Sequence, residues 1–384
     1  MLNVLMIGWE LPPFNSGGLG VASFYLALNL SKKINLIFTL PYYLPIKNKK
    51  FKIIFANNEI KLINPYNILN LNIDNNLLNQ VLTYGQRIYQ KIKENEIKID
   101  IIHAHDWLGG LAGLYLKEKL NKPLIIHIHS TEIERTGVNP NLTVFNFEKQ
   151  CFSAADKLIT VSNLTKKIVK DFYQIDENKI IPIPNGIDNE NYSYFNIRFI
   201  EELKLENYKI VLFVGRLVLQ KGPDYLLKTI KYVKQHIPKV KYIFAGSGEM
   251  LSRLIKIAYN ENVIDNIIFG GFLRDEELWS IYKLSDVLVA PSVFDPFGLV
   301  PLEAIKLKKP IIISKTTGLG EYLDNCLKVD YWDIKLMANY IVAVLKYQPL
   351  KNEMVKNSYE ELIKFNWEDR VNKVLEVYKQ ILQV

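Results

Sequence analysis

Short runs of Ile, Val and Leu alternate along the chain with longer segments in which apolar residues recur every three or four positions. The first pattern suits strands buried on both faces, the second suits the helices that cover them. Strands are predicted at 2–7, 34–40, 99–104, 124–128, 157–161 and 179–183, with the clearest helix at 75–95. Such a βαβα rhythm implies a parallel sheet flanked by helices. Pro182, Pro184, Asn185 and Gly186 interrupt it, and a polar stretch continues to about Asn196. A second series opens at Ile210-Val211-Leu212-Phe213-Val214 and continues at 240–245, 266–269, 286–290 and 310–313. Two α/β domains are therefore expected, over 1–190 and 191–366, joined near 185–196. A last helix within 367–384, from about Trp367 to Leu382, is expected to pack back toward the first domain. Ligands of open parallel sheets bind outside the carboxyl ends of the strands, so a cleft between the two domains is the expected site.

A length of 384 residues agrees with two domains of roughly 150–200 residues each. Nothing in the sequence approaches the roughly 18–20 apolar residues of a transmembrane span. Leu2–Ile7 reads as a strand rather than as part of a signal peptide. Cys151 and Cys326 are far apart and suggest neither a disulfide framework nor a zinc site. A cytoplasmic protein is the expectation. The net charge of +8 suits anionic partners in general. Its densest cluster, Lys47, Lys49, Lys50 and Lys52, reads as a solvated loop, with acceptor or membrane contact as alternatives. No basic stripe with interleaved aromatics is present, which argues against a nucleic-acid partner.

Candidate chemistry lies at the predicted strand ends. The first strand leads through Trp9-Glu10-Leu11-Pro12-Pro13 to Gly17-Gly18-Leu19-Gly20 and a helix, where backbone N–H groups could meet an anion. The spacing is not that of a dinucleotide fingerprint, and a purely structural turn would look the same. The segment His103-Ala104-His105-Asp106-Trp107 closes another strand, and His127 and His129 close the next. These histidines could contact a sugar or simply be hydrogen-bonded in place. Without an accompanying thiol or carboxylate ligand set, no metal site is expected. In the second series, Arg216 and Lys221 follow a buried strand and could hold a diphosphate. Gly246-Ser247-Gly248 marks another strand-to-helix turn. The segment Ala290–Ala304 carries Asp295 and Glu303 around a Pro-Phe-Gly turn, so both could reach a ligand at the start of the following helix.

Taken together, these segments resemble the GT-B glycosyltransferases, specifically glycosyltransferase family 4 and the neighbouring glycogen and starch synthases. The resemblance covers nearly the whole chain in the right order and includes Pro184-Asn185-Gly186-Ile187-Asp188, Gln220-Lys221-Gly222 and Ser314-Lys315-Thr316-Thr317-Gly318. It implies two Rossmann-like domains facing across a cleft. It also implies donor-binding roles for Gly17, Gly18, Asn185, Gly246, Gly248, Phe272, Gly298, Leu299, Glu303 and Thr317, and catalytic roles for His105, Arg216, Lys221 and Asp295. Arg216 and Lys221 would stabilise the departing diphosphate, Glu303 would bind the ribose and Asp295 the sugar hydroxyls. The main-chain carbonyl of His105 would face the anomeric carbon, and Phe272 would lie near the base. Two positions depart from the pattern. Asn15 stands where the synthases have Lys, and Asp295 stands where the family usually has Glu, one methylene longer.

The function this implies is retaining transfer of a sugar, glucose in the first reading, from ADP-glucose or UDP-glucose to the end of an α-glucan. A family 4 transferase acting on a lipid or cell-surface glycan is the alternative enzyme. A non-catalytic nucleotide-sugar or glucan binder is the alternative of another class. The sequence contains no Asp-x-Asp triplet, so the charge of Arg216 and Lys221 is expected to stand in for a divalent metal, with no cofactor.

Overall fold

The computed structural model describes residues 1–15, 17–46, 50–58, 75–137, 139–188, 201–202, 204 and 206–383. Lys47, Lys49 and the linker beyond Asp188, with the expected boundary at 190–191, lie outside these residues. The chain divides into two compact units, one of Met1–Asp188 with Phe365–Val384 and one of Asn189–Lys364.

The sheet of the first unit contains β1 (Asn3–Ile7), β2 (Asn35–Leu40), β3 (Lys52–Phe55), β4 (Ile101–His105), β5 (Leu124–Ile128), β6 (Lys157–Thr160) and β7 (Ile180–Pro182). Its order is β3-β2-β1-β4-β5-β6-β7, and every pairing is parallel. Successive residues of a strand face opposite ways. Leu5 and Ile7 accordingly enter one hydrophobic core with Ile102 and Ala104, while Val4 and Met6 enter another with Ile101 and Ile125. The last helix, Trp367–Leu382, adds Trp367, Val371, Val374, Val377 and Tyr378 to that second core. Asn366 caps this helix by accepting the N–H of Asp369, and its backbone forms a bridge with Ile187.

In the second unit the sheet comprises β8 (Lys209–Val214), β9 (Val240–Ala245), β10 (Ile267–Gly271), β11 (Val287–Ala290), β12 (Ile311–Ser314) and β13 (Leu327–Val329). The order β10-β9-β8-β11-β12-β13 repeats the logic of the first sheet, and all pairings are again parallel. In each sheet the order reverses beside the first strand, between β1 and β4 and between β8 and β11. Loops diverge at such switch points, and ligands bind there. Among the described residues no helix is long and apolar enough to cross a membrane.

Candidate active site

Four loops of the second unit interlock at the carboxyl ends of β8, β9, β11 and β12. Gly215 and Leu217, on either side of Arg216, donate their backbone N–H groups to Ala245 and Ser247 at 3.0 and 2.9 Å. This approach is possible only because position 246 is glycine. A Cβ there would lie 1.9 Å from the carbonyl oxygen of Gly215. The Gly248 carbonyl accepts the N–H of Leu251 at the start of the helix Leu251–Asn260. Further along the β8 loop, the carbonyl of Gln220 accepts the N–H of Val293 at 2.9 Å, which joins it to the loop after β11.

Lys221 reaches across to that same loop, with its Nζ 2.8 Å from Asp295 Oδ2. The Asp295 backbone is fixed in turn by the loop after β12. Its N–H donates to Thr316 and its carbonyl accepts from Gly318. Gly298 then takes a left-handed φ of 100° and caps the helix Leu299–Lys306, and a Cβ there would meet the Thr317 methyl at 2.9 Å. Lys221, Gly246, Gly248, Asp295, Gly298, Leu299 and Thr317 thus come together in one loop cluster, and Arg216 lies between two of its anchored residues. Arg216 also donates to Gln220 Oε1 at 3.4 Å.

Glu303 sits one turn into the same helix and accepts a hydrogen bond from Tyr282 Oη at 3.0 Å. Tyr282 is buried on the helix Asp275–Leu284 and was given no role by the sequence. Phe272 lies outside the four loops. It follows β10, is exposed, and packs under the guanidinium of Arg274 at 4.6 Å.

The first unit holds the remaining predicted residues. Gly17 precedes the helix Gly18–Leu30 in extended conformation, and Asn15 donates to its carbonyl at 2.9 Å. The buried carboxylate of Glu10 accepts the N–H of Gly20 within the first turn of that helix. In the sequence Glu10 is marked only by its place after the first strand. Asn185 is buried in the loop after β7, where the adjacent Gly186 lies against Trp367.

His105 ends β4, and the sheet register sets it beside His127 of β5. With His103 two positions back on the same face, and the half-buried His129 just beyond β5, the rings form one layer in which His103, His105 and His127 are buried. Ring centroids are 5.1 Å apart for His103–His105, 5.5 Å for His105–His127 and 4.6 Å for His127–His129. His103 Nδ1 lies 2.6 Å from Tyr378 Oη, and His105 Nδ1 lies 2.9 Å from His129 Nε2. Burial drives the pKa of His103 and of His129 down to about 3, and holds His105 and His127 well below the usual imidazole range. Asp106 accepts the N–H groups of His129 and Ser130, yet burial raises its pKa to about 7.

The pattern defining the family described as "Glycosyltransferase Family 4" matches residues 17–191, and that of "Glycosyl transferases group 1" matches residues 196–361. An uncharacterised glycosyltransferase of Methanocaldococcus jannaschii is 28% identical over 100% of this chain and 99% of its own length. A UDP-Gal:alpha-D-GlcNAc-diphosphoundecaprenol alpha-1,3-galactosyltransferase of Escherichia coli is 30% identical over 76% of this chain and 77% of its own. A glycogen synthase of Mycobacterium tuberculosis is 27% identical over 84% and 80%. Among solved structures, a sucrose-phosphate synthase of Thermosynechococcus elongatus superposes with a TM-score of 0.79 at 20% identity and covers both chains completely. The likeness in fold, two doubly wound parallel sheets in one chain, identifies the GT-B architecture. On this combined match the chain belongs to the group 1 and family 4 glycosyltransferases.

Proposed function

We propose that the protein transfers glucose from ADP-glucose or UDP-glucose to the non-reducing end of an α-glucan, with retention of configuration, and that the loop cluster of the second unit holds the donor. The observation carrying this reading is the interlocking of the β8, β9, β11 and β12 loops around Arg216, Lys221 and Asp295. Breaking the bond between the anomeric carbon and the diphosphate leaves an oxocarbenium-like ring beside a leaving group of increased charge. Arg216 and Lys221 meet that charge, each such contact contributing roughly 2–4 kcal/mol by analogy with oxyanion donors. Backbone N–H groups of Gly298 and Leu299, at a helix N-terminus, add to it. Glu303, oriented by Tyr282, accepts the ribose hydroxyls, and Asp295 accepts hydroxyls of the sugar. No divalent ion at the diphosphate is required, because the two side-chain cations supply the charge.

The α-glucan acceptor is favoured by His103-Ala104-His105-Asp106-Trp107 and by the likeness to a glycogen synthase. A second reading, a lipid-diphosphate-linked sugar as acceptor, is favoured by the likeness to the galactosyltransferase. ADP-, UDP- and GDP-glucose tested against glycogen, maltooligosaccharides and a lipid-diphosphate-linked sugar, with released nucleoside diphosphate as readout, separates the two. The proposal expects glycogen or maltooligosaccharides to stimulate release at least tenfold over donor alone. Stimulation by the lipid acceptor alone would replace it with the second reading.

A further inference from the structure

Four ring nitrogens in the histidine layer of the first unit are buried with no hydrogen-bond partner among the described residues: His103 Nε2, His105 Nε2 and both nitrogens of His127. These three residues are at most 3% exposed. Leaving such a group unsatisfied costs about 1–3 kcal/mol, so four in one layer call for an occupant. We propose that His103, His105 and His127 form a binding site for one divalent transition-metal ion of the zinc class, which links β4 to β5.

The strands dictate the arrangement. His103 and His105 are two apart on β4 and so share a face, and the register places His127 of β5 beside His105. One ring nitrogen from each residue lies within 4.8 Å of the others. The three centroids form a nearly equilateral triangle of 5.1, 5.5 and 5.5 Å. A zinc–nitrogen bond of about 2.0–2.1 Å in a tetrahedral site sets the ligand nitrogens about 3.3 Å apart. The rings therefore have to close by up to about 1.5 Å, a shift within reach of side-chain rotation.

Two of the three ligands also have the outer partner such a site requires, and His127 offers either nitrogen. A metal-bound histidine usually engages its second nitrogen in a hydrogen bond that fixes the ring. His103 uses Nδ1 toward Tyr378 and His105 uses Nδ1 toward His129, which leaves Nε2 of both as the ligand atoms. An all-imidazole set selects zinc, cobalt, nickel or copper over magnesium and calcium, which prefer oxygen. Three protein ligands leave a fourth position for water. The role that the resemblance implies for His105 in transfer uses its main-chain carbonyl, so the ring remains available. This site belongs to the first unit, and the cations proposed for the diphosphate belong to the second.

The test uses the full chain, dialysed against chelator and titrated with cobalt(II), followed by zinc in competition. One equivalent of cobalt with the visible absorption of a tetrahedral nitrogen site is expected, and zinc should displace it and raise Tm. His127→Leu and His103→Leu, each shown to be folded by circular dichroism, should weaken cobalt binding by at least about 100-fold. His236→Ala, which removes the remaining histidine of the five, should leave binding unchanged. If one leucine variant fails to fold, the other still decides. Absence of cobalt binding by folded wild-type protein would overturn the proposal, as would equal binding by a folded leucine variant.

Discussion

In the resting protein Lys221 is neutralised by Asp295 at 2.8 Å, with the two side chains 23% and 14% exposed. A diphosphate entering the site has to compete for that ammonium. Asp295→Asn keeps the side-chain volume and removes the competing charge. A fully buried charge-assisted contact contributes about 1.5–3 kcal/mol, and partial exposure reduces it to about 1 kcal/mol. Freed from Asp295, Lys221 should therefore bind a nucleoside diphosphate about fivefold more tightly. The same change replaces the charged acceptor proposed for the sugar hydroxyls with a neutral amide that keeps one acceptor oxygen, so kcat should fall by roughly 10²–10³, or about 2–4 kcal/mol of transition-state stabilisation. Titration calorimetry with UDP and ADP gives the first quantity and steady-state kinetics the second. In a double-mutant cycle the affinity gain should vanish when Lys221→Ala is already present. Weaker nucleoside diphosphate binding by Asp295→Asn, or a kcat within twofold of wild type, would refute the reasoning.

Two further outcomes follow from the same loops. Gly246→Ala sets a Cβ 1.9 Å from the Gly215 carbonyl oxygen, a backbone collision that no rotamer relieves. It should cost about 3 kcal/mol and lower the Tm of the second unit by about 10 °C in differential scanning calorimetry. A fall of less than about 2 °C would mean that the β8 and β9 loops are not packed as described. On the proposed assignment of Arg216 and Lys221 to the diphosphate, adding magnesium or manganese to metal-stripped protein should change turnover by less than about twofold. A tenfold stimulation would contradict that assignment.

Much of the architecture was legible because parallel strands buried on both faces must be continuous apolar runs. Ile210–Val214 and Leu124–Ile128 cannot easily be read otherwise. β13, Leu327–Val329, escaped because Lys328 interrupts its three residues, so no apolar run marks it. At the site, residue types were readable and their pairings were not. Lys221 and Asp295 are 74 positions apart, and only the adjacency of β8 and β11 brings their loops together. Tyr282, which orients Glu303, looks in the sequence like one more aromatic on an amphipathic helix. The histidines were visible as two His-x-His pairs. Their merger into one layer depends on the β4–β5 register and on Tyr378, which lies 275 positions beyond His103.

The central claim is that the second unit's cations stabilise the departing diphosphate. The measurement that tests it most directly is kcat/KM for Arg216→Ala and Lys221→Ala, taken with the donor and acceptor that support turnover and on variants shown to be folded. Each substitution should lower kcat/KM by roughly 10²–10³, with Arg216→Lys recovering only part of the loss because a point charge does not reproduce the guanidinium fork. A change of less than about twofold in either alanine variant would show that residue to be a solvated cation beyond a strand, and the donor-site account would be wrong.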